Sequence, residues 1–323
     1  MNRVDKTEII NSIQERLSKA KHILIVSHVR PDGDAIGSLL GLGLALQNAG
    51  KSVQMVLQDG VPASFRHLPG SEQIQKEAQD GWDTFISVDC ADHKRLGRGF
   101  ETLAKPDINI DHHITNGLFG TINLIEGEEV ATASILTNLL PQLGMQITAP
   151  IASALLTGIV TDTLGFRTAN TTPASLRQAA ELMEHGAELA SLYTRALVSR
   201  SYPAARYWGA GLSSLERTKD LVWGTLTIAD RKTAQYGGND DADLINIISA
   251  LEGSKVGMIF VEQNDRHVKI SWRAIADGID VSKVAKHFNG GGHAAAAGAD
   301  IPGALSEVQP LVLQTTREML GLA

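Results

Sequence analysis

Four short stretches in the first half of the chain concentrate carboxylates and imidazoles: SHVRPDGDAIGS at 27–38, SVDCADH at 87–93, DHH at 111–113 and GIVTD at 158–162. Each has an ordinary account when taken singly. PDGD is a turn with Asx hydrogen bonds and a helix N-cap, Asp89 is a loop residue after a strand, and His112 and His113 suit buried rings that satisfy backbone carbonyls. Asp162 near a helix C-terminus is harder to place, because the macrodipole disfavours a carboxylate there unless a cation compensates. Together His28, Asp32 and Asp34, then Asp89 with Asp92 and His93 behind it, then Asp111, His112 and His113, and Asp162 bring ligand types from four segments to one sheet edge, which without bound cations would be an unpaired acidic cluster. They read as a metal site. Imidazole with several carboxylates and no thiolate suits Mn²⁺ foremost, with Mg²⁺, Co²⁺ or Fe²⁺ as alternatives, over structural zinc. Two such ions about 3.5–4 Å apart, bridged by one carboxylate, activate a water and neutralise a phosphoryl group.

The elements that must position these residues are legible around them. HILIVSH is an apolar run of strand length, followed by a polar turn and a helix, AIGSLLGLGLALQNAG, that ends at Gly50. KSVQMVL resumes as a strand, and TFISVD (84–89) and DINID (107–111) are two more. These runs lack period-two alternation, as parallel strands covered on both faces do. Helices are predicted at 132–143, 149–161 and 173–200, and an amphipathic one at the N-terminus. In such sheets ligands bind beyond the carboxyl ends of the strands, where most of the candidate ligands fall.

The whole chain sets limits on the chemistry. With 323 residues there is room for two domains of about 100–200 residues each. We expect residues 1–190 to form the catalytic domain, 191–215 a helical connector, and 216–323 a smaller α/β domain, with a cleft between. LVWGTLTIA, VGMIFVEQ and HVKISWRA are its strands, and its helices fall at 241–251, 281–288 and 304–319. No apolar run approaches the ~18–20 residues of a membrane span, and the N-terminus lacks a signal-peptide pattern. The single cysteine, Cys90, excludes a disulfide framework and points to a reducing, cytoplasmic setting. A formal net charge of −7 argues against tracking a long polyanion, and leaves a small phosphate ester as the partner.

The quoted stretches resemble, in order, the four motifs of the DHH phosphoesterases. ISWRA followed by FNGGGHAAAAGA is similar to the substrate-binding domain of the first DHH subfamily, so the resemblance spans nearly the whole chain. It implies an N-terminal parallel-sheet domain and a second α/β domain. The layout is most similar to the nanoRNase branch, which degrades short oligoribonucleotides and dephosphorylates 3′-phosphoadenosine 5′-phosphate. Relatives of the same layout hydrolyse cyclic dinucleotides such as cyclic di-AMP, which is the alternative substrate reading. By position, the resemblance implies that His28, Asp32 and Asp89 hold one ion and Asp34, Asp89, His112 and Asp162 the other. Asp111 then orients a histidine or lies close to the metals, and His113 faces the scissile phosphate or helps protonate the leaving oxygen. A homodimer is implied as well.

In the second domain Gly290, Gly291, Gly292 and His293 offer backbone N–H groups that a phosphate can approach closely. A glycine triplet alone also suits a plain flexible loop. Paired with His293 and with Arg273, whose guanidinium can fork onto a phosphate, the loop reads as an anion site. Ala274 stands where relatives often carry Ser. Arg95, Arg167 and Ser134 lie near the metal motifs, with ordinary surface or cap roles favoured; Trp272 is assigned to the core, and Ala294–Ala297 are expected to begin a helix. A rival of another class, a nucleotide-sensing module without turnover, would be signalled by a missing metal aspartate, and none is missing.

Overall fold

The computed structural model describes residues 5–323 apart from 101, 102 and 104, and apart from the side chain at 265. The first four residues of the stretch read as the N-terminal helix lie outside the described residues. The chain divides into two compact units, Met1–Ser199 and Arg200–Ala323.

The first unit runs α1 (Lys6–Lys19), β1 (His22–Val26), α2 (Gly33–Asn48), β2 (Ser52–Val56), β3 (Thr84–Val88), β4 (Ile108–Asp111), β5 (Ile122–Ile125), α3 (Thr132–Gln142), α4 (Ala149–Asp162), α5 (Pro173–Glu184) and α6 (Leu189–Tyr193). Its five strands are all parallel, in the order β2-β1-β3-β4-β5. The absence of alternation in the sequence has its explanation in burial. Ile23, Ile25, Ile86, Val88, Ile108 and Ile110 pack with helical residues on one face. Leu24, Val26, Val56 and Phe85 pack against Cys90, Leu96, Phe100 and Phe119 on the other. Each fully buried Ile or Leu contributes about 1.5–3 kcal/mol of transfer free energy, so both faces select apolar residues.

The strand order reverses between β1 and β3, which lie side by side while the chain visits β2 on the far side of β1. At such a switch point the loops after the two strands part and open a crevice. The loop after β1 carries His28 and Asp32, and Asp89 directly follows β3. A second device brings α2 against α4. A Cβ added at Gly37 would collide with the Ala154 carbonyl, and one added at Gly33 with the Thr161 side chain. Only glycine permits that approach.

The sequence reading omitted β5, a short strand of mostly half-buried residues. The helix expected over 173–200 is broken: α5 stops at Glu184, Gly186 takes a φ of +99°, and α6 runs into a π-helical turn at Thr194–Val198.

The second unit runs α7 (Tyr202–Ser213), β6 (Glu216–Arg217), β7 (Leu221–Leu226), α8 (Ile228–Ala234), α9 (Leu244–Ile248), β8 (Val256–Gln263), β9 (His267–Ala274), α10 (Ser282–His287), β10 (Gly291–Gly292), β11 (Ala296–Pro302) and α11 (Leu305–Leu320). Its sheet is mixed, ordered β10-β11-β9-β8-β7-β6, with only β7 and β8 parallel. The segment read as a connector is divided. Residues up to Ser199 belong to the first unit, whereas α7 buries Tyr207 among Val222, Leu226 and Leu244 of the second. The helix expected from Ala294 does not form. Ala296 and Ala297 pair with Arg273 and Trp272 of β9 instead, so ladder hydrogen bonds override alanine's helix propensity.

Candidate metal centre

His28 follows β1, with its Nδ1 2.9 Å from the carbonyl of Val29. That contact leaves Nε2 to face Asp32 Oδ2 at 3.8 Å and Asp89 Oδ2 at 3.4 Å. Asp32 is also the N-cap of α2, its Oδ1 accepting from the backbone N–H of Asp34 and Ala35 at 3.1 Å each. One oxygen caps and the other faces His28, so the turn is at once an ordinary N-cap and a candidate ligand.

Asp34 is buried. It owes its place to α3, which begins after Ala131 with no side-chain cap of its own. The orphan N–H groups of Thr132 and Ala133 donate to Asp34 Oδ2 at 2.6 Å and Oδ1 at 2.9 Å. The N-terminal end of a helix dipole thereby meets a carboxylate. Asp89, also buried, adopts a left-handed φ of +51° at the end of β3, a conformation Asp tolerates better than most residues. Its Oδ2 faces His28 and its Oδ1 faces His112 Nε2 at 3.8 Å while accepting from Thr132 Oγ1 at 3.1 Å. His112 directs Nδ1 to the Glu129 carbonyl at 3.3 Å and Nε2 to Asp162 Oδ2 at 3.2 Å.

Ligating atoms of His28, Asp32 and Asp89 lie within 4.8 Å of one another, as do those of Asp34, His112 and Asp162, and those of Asp89, His112 and His113. Asp89 stands in the first and third groups. Among the described residues no Lys or Arg forms an ion pair with any of these carboxylates. Burial first, and the neighbouring Asp89 and Asp162 second, push the Asp34 carboxyl well above the usual range. Burial and Asp32, Asp89 and Asp111 do the same to Asp162. Burial opposes ionisation of Asp89 too, but hydrogen bonding and charge from His28, with His112 and His113, hold it below the usual range. Oxygen and imidazole donors converging without a compensating Lys or Arg fit divalent metal.

Asp111 is fully buried, one oxygen 2.7 Å from His113 Nδ1 and the other accepting from Asn116 Nδ2 at 2.6 Å. Burial disfavours the His113 cation, but the Asp111 hydrogen bond together with the charges of Asp89 and Asp111 outweighs it and raises the imidazole above its usual pKa. Asp92 and His93 stand apart from the cluster: Asp92 caps the 3-10 turn His93–Leu96 and His93 packs on Phe119. Arg95 accepts the Val29 N–H on its carbonyl at 2.7 Å and exposes its side chain. Ser134 is buried between Glu129 and Gln178, and Arg167 is exposed. Sequence reasoning missed Glu129, Thr132, Ala133 and Asn116. Only Asn116 carried a local signal, three residues past His113.

In the second unit Arg273 is the penultimate residue of β9, opposite Ala296, and the β10–β11 hairpin closes with reciprocal bonds between His293 and Ala296 at 2.8 and 3.1 Å. The hairpin tip and the arginine are therefore neighbours. Gly290 and Gly292 are packed too closely for a Cβ, against Gly298 and Ala296–Ala297, while Gly291 has open space. Trp272 is buried against Phe288, with Nε1 on Thr316, a core residue.

The model of the DHH family N-terminal domain matches residues 22–159, and that of the DHHA1 domain residues 234–321. A bifunctional oligoribonuclease and PAP phosphatase NrnA from Thermus thermophilus is 38% identical over 306 residues, which span 93% of this chain and 91% of that protein. The chain belongs to the DHH phosphoesterase family. The NrnA of Bacillus subtilis is 24% identical over 92% of this DHH chain and 93% of its own. The crystal structure of an exopolyphosphatase-related protein from Bacteroides fragilis superposes with a TM-score of 0.92 at 26% identity, covering 99% of both chains. The Thermus thermophilus RecJ in complex with Mn²⁺ shares the fold, at a TM-score of 0.54 and 13% identity over 98% of this chain and 55% of that one.

Proposed function

We propose that this DHH protein is a metal-dependent phosphodiesterase and phosphatase of the NrnA type, acting on short oligoribonucleotides and on 3′-phosphoadenosine 5′-phosphate. The 38% identity to a protein of that name over nearly the full length carries the reading. The intact donor cluster weighs against a sensor that has lost turnover. His28, Asp32 and Asp89 would hold one ion, and Asp34, Asp89, His112 and Asp162 the other, with Mn²⁺ the expected metal. When bound, two such ions supply a hydroxide-like water and charge compensation at the phosphoryl group.

The chain's own residues do the rest. The Val29 and Glu129 carbonyls fix the Nδ1 sides of His28 and His112, so both rings turn Nε2 to the carboxylates. Asp111 accepts from His113 Nδ1, which aligns the ring and favours its protonated form for the leaving oxygen. Arg273, with the hairpin Gly290, Gly291, Gly292 and His293, binds a phosphate of the substrate. A homodimer in a reducing cytoplasm belongs to the same reading, checked by sedimentation and cell fractionation.

Hydrolysis of a ribodinucleotide, the adenosine 3′,5′-bisphosphate and cyclic di-AMP in Mn²⁺, side by side with Asp89→Ala, tests it. Turnover of the first two, lost in the variant, supports the proposal; equal activity in both proteins rejects it. Preference for the cyclic dinucleotide would replace the substrate and keep the centre.

A further inference from the structure

We propose that Asn116 is a positioning residue for His113, acting through Asp111. The inference rests on the phosphoesterase reading above.

Asp111 offers His113 one oxygen, Oδ1, and its hold on the ring is only as firm as the carboxylate's own anchorage. Among the described residues that anchorage comes from one side chain. Asn116 Nδ2 donates to Asp111 Oδ2 at 2.6 Å and to the Cys90 carbonyl at 3.1 Å. Its Oδ1 accepts from the Leu118 N–H at 2.7 Å and from Asn109 Nδ2 at 3.2 Å. Exchanging the amide's O and N would set an oxygen against a carboxylate and a carbonyl, and NH₂ against two donors, so the partners determine its orientation. Asn109 is oriented in turn by Ser87 Oγ, which donates to its Oδ1 at 2.9 Å across the β3–β4 pairing. Ser87, Asn109 and Asp111 are all buried. The result is a polar chain, Ser87–Asn109–Asn116–Asp111–His113, from the middle of the sheet to the edge of the donor cluster, in which the inner amides have nothing to do with ligating metal.

The consequence is chemical. With Nδ1 committed to Asp111, proton exchange with substrate runs through Nε2. In hydrolysis the P–O bond to the ribose 3′ oxygen breaks and its electron pair stays on that oxygen, which takes the Nε2 proton. The proton released by the attacking water restores the imidazolium, so water is consumed and one phosphate ester and one alcohol are formed. An alkoxide leaving group needs that proton. A p-nitrophenolate does not.

The experiment compares kcat and KM for a ribodinucleotide and for the p-nitrophenyl ester of a ribonucleoside 5′-phosphate, in wild type, Asn116→Ala, Asn109→Ala and Asp89→Ala with Mn²⁺. Asn116→Ala is expected to lower kcat on the dinucleotide by roughly 10²-fold, the lower end of general-acid contributions. KM should stay unchanged, and turnover of the p-nitrophenyl ester should remain near wild type. Asn109→Ala should show the same leaving-group signature at smaller size, and keeps the test open if Asn116→Ala does not fold. Equal losses on the two substrates, or no loss on either, overturn the inference. Asp89→Ala separates the claims: it abolishes both activities if the phosphoesterase reading holds, and survival of activity there overturns that reading instead.

Discussion

The two units hold their candidate functional residues in opposite ways. In the first, Asp34, Asp89 and Asp111 are buried at the carboxyl edge of a parallel sheet, and backbone groups aim them: helix N–H groups for Asp32 and Asp34, carbonyls for His28 and His112. In the second, Gly291, Gly292 and His293 are exposed on a hairpin whose shape depends on close glycine packing and pairing with β9. Burial without countercharge suits a centre that must exclude all but small hard cations. An exposed, main-chain-rich hairpin beside an arginine suits an anion that must enter and leave. The contrast teaches what the proposed function asks of each unit: the first would set the chemistry, and the second what is bound.

The sharpest break of this contrast is Asp89→Ala, which removes the carboxylate lying between His28 and His112. It should reduce kcat by at least ~10³-fold in steady-state hydrolysis, with binding of substrate to the second unit little affected. Asp32→Asn separates capping from ligation. Asparagine caps as well as aspartate, so thermal stability should hold within a few tenths of a kcal/mol, while Mn²⁺ affinity measured by calorimetry falls by about 10–100-fold. Arg273→Ala tests the other unit: KM should rise by roughly 10–100-fold, the size of a lost hydrogen bond to a charged group, with Mn²⁺ affinity unchanged. Gly158→Ala would set a methyl 2.6 Å from Asp34 Oδ1 and from Ala133, and should cost about 1–3 kcal/mol in urea unfolding along with metal affinity.

The smallest effect is a pH dependence. Asp34 and Asp162 have carboxyls raised above their unfolded values. Between the unfolded carboxylate range and those raised values the folded, metal-stripped protein binds more protons than the unfolded chain, so its stability falls as pH rises. EDTA-treated protein should therefore gain a few degrees in Tm as the pH is lowered from neutrality toward the ordinary carboxylate range, and Mn²⁺ should remove the gain by stabilising the ionised cluster.

Much of the first unit was legible because its signals are local. A strand-length apolar run, a turn and a helix stop at Gly50 need only a few residues of context, and ligand types at strand ends follow from the parallel-sheet rule. The second unit was less legible. Ala294–Ala297 has strong helix formers, yet a hairpin with β9 satisfies its backbone at 296 and 297, and nothing within the segment announces that partner. The PDGD turn illustrates a limit of another kind: cap and ligand were weighed as alternatives, but a carboxylate has two oxygens and Asp32 divides them.

The sequence by itself supplied the candidate donors His28, Asp32, Asp34, Asp89, His112 and Asp162 and their placement near element ends, because residue type, short-range periodicity and motif resemblance carry that information. Only the tertiary structure decided which atom faces which partner. Asp34 is held by the N–H of Thr132, 98 residues away, and meets Asp162 because Gly33 and Gly37 let α2 and α4 touch. Asn116 reaches Asp111 locally, but its amide is oriented by the Cys90 carbonyl, 26 residues away in sequence. Those contacts arise from chain crossings at long sequence separation, where a side chain's role is set by the groups that burial forces upon it.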